Sequence, residues 1–117
     1  MDFALLIYID ESRFEGISAE EDRLLQKACR DEDTALEKAG KLIAARALRT
    51  PDTAKTVTIR ESRIVRTDGP FAETKEHLGG LILLRAQSME EAMTIAEKSP
   101  MARYARVEVR PAYDIRA

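Results

Sequence analysis

The sequence predicts a single α+β domain over residues 1–117, in which two helices cover one face of a sheet. The elements follow the order strand, helix, strand, an inserted hairpin, then strand, helix, strand. Residues 3–9 and 77–85 are apolar on both alternating faces, which is typical of strands covered on both sides. A split βαβ sheet of the ferredoxin-like type places its first and third major strands at the centre, which agrees with this pattern.

The first half of the chain contains one strand, one long helix and a second strand. Residues 3–9 form the first strand, and the polar residues 10–12 end it. Ser18 and Glu21 have the spacing of a capping box, which opens an amphipathic helix of about 20 residues that ends at Gly40. Cys29 lies on its apolar stripe, so we expect an inert core residue rather than a reactive thiol. The whole stripe comprises Leu24, Leu25, Ala28, Cys29, Ala35, Leu36 and Ala39.

The second half begins with a short strand over residues 41–48 and a turn at residues 50–52. Alternation in residues 55–60 and 63–66 indicates a hairpin, although its turn at Glu61-Ser62 lacks the glycine that such turns favour. A strand over residues 77–85 follows a long polar loop. Ser88 and Glu91 then open a helix that ends before Pro100. Its inward residues are expected to be Met89, Ala92, Met93 and Ala96.

The last strand is half buried, because Val107 and Val109 alternate with charged residues, and the residues after Pro111 are expected to form a tail. Two helices can cover only one face of the predicted sheet, so the other face needs a different cover. Since the central strands are apolar on both sides, we expect a second copy of the chain to bury that face. The sequence therefore predicts a homodimer.

Composition excludes several classes of protein. The 19 basic and 21 acidic side chains nearly cancel to a net charge of -2, so no basic footprint for nucleic acid is present. One cysteine and one histidine are too few for a closed zinc site, and we expect no metal and no other cofactor. An all-carboxylate site for Mg²⁺ or Ca²⁺ stays open. Without a basic leader or an apolar run of about 20 residues, we expect a cytoplasmic protein with no membrane partner.

Residues 67–80 (TDGPFAETKEHLGG) resemble the signature of the YCII-related DGPF family. Residues 5–8 (LLIY) and 107–111 (VEVRP) are also similar to that family, so the resemblance covers nearly the whole chain. It implies a ferredoxin-like α+β barrel formed by a dimer, and it implies no settled activity. In the wider YCII-like group a His–Asp pair in the cleft has been proposed as catalytic. The only histidine here, His77, lies where the family often carries Gln or another polar residue.

The signature loop carries the candidate chemistry. Pro70 fixes its own backbone angle and restricts Gly69, so Asp68 is presented on a stiff corner beside the sheet. Phe71 could fold back as an apolar plug that pins the loop. A stiff loop can hold carboxylates at a cleft within reach of a ligand. General acid–base catalysis needs such fixed positions before the pKa of the carboxylate matters. Gly79-Gly80 would let backbone or ligand approach the strand closely.

We therefore name two catalytic candidates, Asp68 and His77. The candidate ligand-binding residues are Tyr8, Asp10, Phe71, Glu73, Lys75 and Arg110. Arg110 or Lys75 would hold an anionic group of a small ligand. Simpler roles compete with each assignment: Asp68 is a good turn former, Glu73 and Lys75 belong to a solvated charge run, and Arg110 can pair with Glu108. Tyr8 and Asp10 can serve in packing and in starting the next helix.

Three functions are consistent with this sequence. The leading hypothesis is a homodimeric small-molecule protein whose cleft lies between the sheet and the Asp68 loop, with metal-free proton-transfer chemistry of the lyase or isomerase type. The second is a non-catalytic ligand-binding or regulatory module associated with a transcription-related partner, because DGPF-type proteins resemble such accessory domains. The third is a structural dimer that binds no ligand.

Overall fold

The computed structural model describes all of residues 1–117. Its strands are β1 (Asp2–Asp10), β2 (Leu42–Ala47), β3 (Lys55–Arg60), β4 (Arg63–Asp68), β5 (Glu76–Arg85) and β6 (Arg106–Ala112). Its helices are α1 (Ala19–Lys38) and α2 (Met89–Glu97), and single 3₁₀ turns lie at Glu11–Phe14, Pro51–Thr53 and Pro100–Arg103. Neither helix has both the length and the apolar character needed to cross a membrane.

Four strands form an antiparallel sheet in the order β2-β5-β1-β6. The two strands predicted to be central, β1 and β5, are central, and the α+β class is confirmed. The sheet is open at β2 and β6, so one chain does not form the barrel that the resemblance implies. The last strand runs to Ala112, so the tail begins later than Pro111.

The core lies between one face of this sheet and α2. Phe3, Leu5 and Leu84 are fully buried on the sheet side. On α2 the buried residues are Ala92, Ile95 and Ala96. Met89 and Met93, which the sequence places inward, are exposed, so that assignment was wrong. Ile95 takes the inward position because it lies three residues from Ala92 and next to Ala96, on the same face of the helix.

The long helix α1 packs much less closely than its apolar stripe predicts. Only Leu36 is buried, near its C-terminal end, while Leu24 is 51% exposed and Cys29 is half buried. Cys29 is therefore not a core residue of the single chain, although burial raises the pKa of its thiol, as expected for an inert cysteine. An open space remains between the helix and the part of β5 that contains Gly79 and Gly80. The first turns of α1 consequently lie over an open space.

Both helices begin at the predicted caps. The hydroxyl of Ser18 accepts a hydrogen bond from the amide of Glu21 at 3.0 Å, and the hydroxyl of Ser88 accepts one from the amide of Glu91 at 3.1 Å. Each bond satisfies one of the free amides in the first turn.

We expect Ser18→Ala and Ser88→Ala each to lower the free energy of unfolding by about 1 kcal/mol. Urea unfolding followed by circular dichroism measures this loss relative to the wild type. A loss near zero for both cap variants would show that the caps do not set the helix starts.

The face of the sheet opposite the helices has no cover within one chain. Ala4, Leu6 and Leu83 alternate with the core residues of β1 and β5 and are only half buried. In the register of the sheet, Leu83 lies between Ala4 and Ala44, at the centre of this face. We call it the helix-free face.

The strands β3 and β4 form a separate two-stranded arm. Residues 50–69 hydrogen-bond only with one another, so nothing ties the arm to the four-stranded sheet. Its two-residue turn lies where the sequence predicts, with φ of 48° at Glu61 and 65° at Ser62. A two-stranded hairpin is marginally stable alone. The radius of gyration is 16.3 Å, against about 13 Å for a compact domain of roughly 100 residues, because the arm projects from the body.

Candidate functional site

The end of β1 and the start of β5 bring several of the predicted site residues together. Asp10 lies opposite Glu76, and Ile9 lies opposite His77. The side chain of Ile9 packs against the core on the helix side of the sheet. Because side chains alternate along a strand, His77 is directed to the helix side and Tyr8 to the helix-free face.

His77 forms an ion pair or hydrogen bond with Glu11, the first residue after β1. The distance from Nε2 of His77 to Oε1 of Glu11 is 2.8 Å. The side chain of His77 is 14% exposed and that of Glu11 is 62% exposed. Nδ1 of His77 is buried and has no hydrogen-bond partner. The imidazole is therefore held at one nitrogen by an accessible carboxylate, while its other nitrogen has unused hydrogen-bonding capacity.

Asp10 is held in place on the other side of the same strand end. Its Oδ1 accepts hydrogen bonds from the hydroxyl of Ser12 at 2.7 Å and from the amide of Ser12 at 3.0 Å. Nζ of Lys75 lies 3.6 Å from Oδ2 of Asp10. The bonds from Ser12, and the positive charge of Lys75 after them, lower the pKa of Asp10. Asp10 thus starts the 3₁₀ turn, which is the simpler alternative to its predicted role in ligand binding. It also contacts Lys75.

Tyr8 and Arg110 lie on the helix-free face, apart from the Glu11–His77 pair. Tyr8 lies opposite Arg106, whose Nε is 3.2 Å from Oε1 of Glu76. Nε of Arg110 donates to Oε2 of Glu108 at 2.9 Å, and its Nη2 contacts the same oxygen. This carboxylate raises the pKa of Arg110. The guanidinium of Arg110 is therefore already neutralised by its neighbour.

A cavity of about 610 Å³ separates α1 from the sheet. We call it the α1 cavity. Its floor includes Ile7, Ile9, Gly79 and Gly80, and Met101 closes part of its wall. A Cβ atom at Gly79 would lie 2.2 Å from Cδ1 of Ile9, so only glycine fits beside that side chain. The volume lies within the range of pockets that hold small organic molecules.

The Glu11–His77 pair adjoins this cavity, because Glu11 is one of its lining residues. The wall formed by α1 contributes further titratable groups at helical spacing, among them Asp22, Cys29 and Asp33. Burial raises the pKa of the Asp33 carboxyl and, with a smaller contribution from Asp33, the pKa of the Cys29 thiol. No group of three or more His, Cys, Asp or Glu side chains is arranged to hold a metal ion.

Besides Tyr8 and Arg110, three more of the predicted site residues lie away from the Glu11–His77 pair and the α1 cavity. Asp68 ends β4 at the base of the arm, where its side chain is 91% exposed and its Oδ1 is 2.7 Å from Nζ of Lys55. Phe71 is 91% exposed, so it does not act as a plug in the single chain. Glu73 is exposed in the same loop and makes no hydrogen bond. No hydrogen bond or ion pair joins Asp68 to His77 or to Glu11.

Asp68→Asn and Asp68→Ala distinguish a catalytic Asp68 from a turn former. Gly69 has φ of 91° and donates to the carbonyl of Ala54 at 2.7 Å, so the corner is built largely without the carboxylate. If Asp68 is catalytic, Asp68→Asn should leave the melting temperature unchanged and lower turnover by about 10² to 10⁴. Equal turnover in Asp68→Asn and wild type, measured on one substrate, would remove Asp68 from the site.

Comparison with known proteins identifies the family. Residues 1–116 match the family model described as the YCII-related domain. The chain belongs to the YCII-related family. Among curated proteins, this YCII-related chain is 35% identical over 94 residues to "Uncharacterized protein R00369" of Rhizobium meliloti (strain 1021). The aligned segment covers 80% of this chain and 76% of that relative.

Sequence reasoning missed two features of the site in this YCII-related chain. Glu11 was assigned only to the strand break, yet it contacts His77, 66 positions along the chain. Asp22 and Asp33 lie outside the predicted apolar stripe of α1 and were given no role, yet both line the α1 cavity. The available signal was the sheet register: a residue that follows β1 must lie beside one that begins β5 when the two strands are antiparallel neighbours.

Proposed function

We propose that this YCII-related protein is a homodimer that binds a small molecule in the α1 cavity and catalyses metal-free proton transfer of the lyase or isomerase type. The observation that supports this most is the position of Glu11, which lines the cavity and whose carboxylate contacts Nε2 of His77. Glu11 can take a proton from a ligand and share it with His77. Such a carboxylate–imidazole pair is suited to general acid–base catalysis near neutral pH.

The loop that carries Asp68, Phe71 and Glu73 leads into β5, so it ends beside the Glu11–His77 pair. We propose that Asp68 is a further acid–base group and that Phe71, Glu73 and Lys75 contact the ligand when this loop is covered in the dimer. The contact between Lys75 and Asp10 supports this arrangement, because it already joins the loop to the end of β1. Tyr8 and Arg110 lie on the helix-free face, across the sheet from the α1 cavity, so they would line the dimer interface rather than contact this ligand.

Dimerisation through the helix-free face is the assembly that the exposed residues favour. Leu6 and Leu83 are half exposed there, and no helix of the chain packs against them. Two such sheets facing each other would make the dimeric barrel implied by the DGPF signature at residues 68–71, so we also propose that the chain belongs to that branch of the family. Dimer interfaces of this kind bury roughly 2,000 Å² or more in total.

A thermal-shift screen of small metabolites tests the binding step. We expect a subset to raise the melting temperature of the wild type, and we expect Cys29→Phe, which places a phenyl ring at the wall of the α1 cavity, to reduce these shifts. Cys29→Ser is the matched control, since it changes the thiol without filling the cavity. Equal shifts in wild type and Cys29→Phe would place the binding site elsewhere and contradict the proposal.

Ligand binding without turnover is a second candidate function, and the exposure of Glu11 favours it. A side chain that is 62% exposed is well solvated, whereas catalytic carboxylates are commonly shielded from water. Under this function Glu11→Gln would alter the affinity for the ligand, and no proton of the ligand would exchange with solvent. The exchange experiment described in the Discussion separates the two functions.

A further inference from the structure

One face of the arm is apolar and has no cover in the single chain. Val57 and Ile59 project from this face of β3, because side chains alternate along a strand. Ile64 of β4 lies directly opposite Ile59, so it projects from the same face. The three side chains are between 65% and 69% exposed. We call them the apolar face of the arm.

The body of the same chain does not cover this face. Residues 50–69 hydrogen-bond only with one another, and the three apolar side chains stay exposed. The opposite face of the arm differs, since it carries Thr56, Thr58 and Thr67 beside Val65. A two-stranded hairpin with one apolar face gains stability when another surface packs against that face. The cover therefore has to come from outside the chain that carries the arm.

Basic side chains surround the apolar face. The two strands and their turn, residues 55–68, contain four basic and two acidic side chains, a net charge of +2. Lys55 is paired with Asp68. The three arginines, Arg60, Arg63 and Arg66, are exposed and take part in no ion pair. Two arms of like charge would repel each other, so an acidic surface is the better match for this face.

Helix α1 has the complementary properties. Its 20 residues contain seven acidic and four basic side chains, a net charge of -3. Leu24 is 51% exposed on this helix, beside a groove between α1 and the turn at Pro100–Arg103. Since Leu36 is the only buried residue of α1, most of the helix is left without close packing in its own chain. An acidic helix with an exposed leucine matches a basic arm with an exposed apolar face.

We propose that in the dimer the arm of each copy crosses to the other copy and packs its apolar face against α1 there. This inference rests on the proposed homodimer and adds the surfaces through which the two copies hold each other. Strands of six residues are about 20 Å long, which is enough to pass a second sheet stacked about 10 Å away and reach a helix of about 10–12 Å diameter on its far side. Exchange of two arms across a two-fold axis closes the assembly at two chains.

Val57→Thr tests the apolar face. Threonine keeps the β-branched shape that strands favour, but it places a hydroxyl where the contact is apolar. We expect the dissociation constant of the dimer, measured by sedimentation equilibrium, to rise about tenfold. Val65→Thr is the matched control, because it makes the same change on the opposite face of the arm and should leave the constant unchanged. Equal constants in wild type and Val57→Thr would overturn the role of the apolar face.

Paramagnetic broadening between copies shows where the arm packs. A nitroxide is attached at Ser62→Cys, at the tip of the arm, in a chain that also carries Cys29→Ser, so that the label reacts at one site. These chains are mixed with ¹⁵N-labelled chains that carry Cys29→Ser alone, and only contacts between copies broaden the ¹⁵N-labelled amides. We expect the strongest broadening on α1, at Leu24 and Ala28, which line the groove beside the helix.

Each outcome of the mixing experiment supports or overturns the inference. Strongest broadening on α1 supports it. Broadening that spares α1 and falls on β3 and β4 would show that the arms pack against each other, and would overturn it. Absence of broadening in a sample that has the mass of a dimer by light scattering would overturn the inference and leave dimerisation through the helix-free face intact. A monomeric mass would overturn both.

Discussion

Replacing Leu83 with aspartate is expected to convert the proposed dimer of 13.2 kDa chains into a folded monomer. Leu83 lies between Ala4 and Ala44 at the centre of the helix-free face, directed away from the core. In a single chain the new carboxylate would be solvated, so the fold should survive. In a dimer that buries this face, two unpaired carboxylates would lose their water near the two-fold axis, at a cost of several kcal/mol.

Light scattering at micromolar concentration measures the mass directly. Leu24→Asp is the matched control, because Leu24 is also a half-exposed leucine but lies on α1, away from the helix-free face, and its substitution should leave the mass unchanged. A wild-type protein that is already monomeric, or a Leu83→Asp variant that stays dimeric, would refute dimerisation through this face.

Replacing Glu11 with glutamine is expected to lower proton transfer by about 10² to 10⁴. The amide can still hydrogen-bond to Nε2 of His77, which keeps the geometry of the 2.8 Å contact, but it cannot accept a proton. Compounds that bind in the thermal-shift screen can be incubated in D₂O with enzyme, and the incorporation of deuterium at carbon gives the rate of proton transfer without knowledge of the product.

Glu15→Gln is the control for this substitution, since Glu15 is an exposed neighbour whose side chain makes no hydrogen bond or ion pair. His77→Gln should also slow the exchange, because Glu11 would lose the group that shares its proton. Exchange in Glu11→Gln at the wild-type rate would remove the pair from the mechanism. A complete lack of exchange in the wild type would favour ligand binding without turnover.

Local signals predicted most of the fold correctly. The capping boxes at Ser18 and Ser88 give the starts of both helices, because the bonds that they describe are made within a few residues. The two strands apolar on both faces, β1 and β5, are the central strands of the sheet. In each case the prediction depends on residues that are close in the chain, either at a helix cap or along one strand. Contacts with the rest of the fold do not change these local structures.

The packing of α1 could not be predicted in the same way. Its apolar stripe is regular, yet only Leu36 is buried, because the distance between a helix and a sheet depends on what fills the space between them. In this chain a cavity remains between α1 and the part of β5 that contains Gly79 and Gly80, about fifty residues after Cys29 in the chain. A stripe of small and polar residues such as Cys29 and Asp33 facing two glycines is the signal that could have indicated a cavity.

Only the part of the candidate site that depends on the order of the strands was predicted. Asp10, Lys75 and His77 were correctly placed near the end of β1 and the start of β5, since sheet order brings those segments together. Asp68 was expected at the same place, but the arm carries it outward, where Lys55 is its partner. The sequence shows that β3 and β4 form a hairpin and contains nothing that orients this hairpin relative to the sheet.

The binding site beneath α1 is the central claim, and an NMR titration tests it most directly. The wild-type protein, labelled with ¹⁵N, is titrated with the compound that raises its melting temperature most. We predict that the largest amide shifts fall on Cys29, Gly79 and Gly80, which line the cavity from both sides, and on Glu11 at its end. Shifts confined to the arm or to β6, with these four amides unchanged, would contradict the claim.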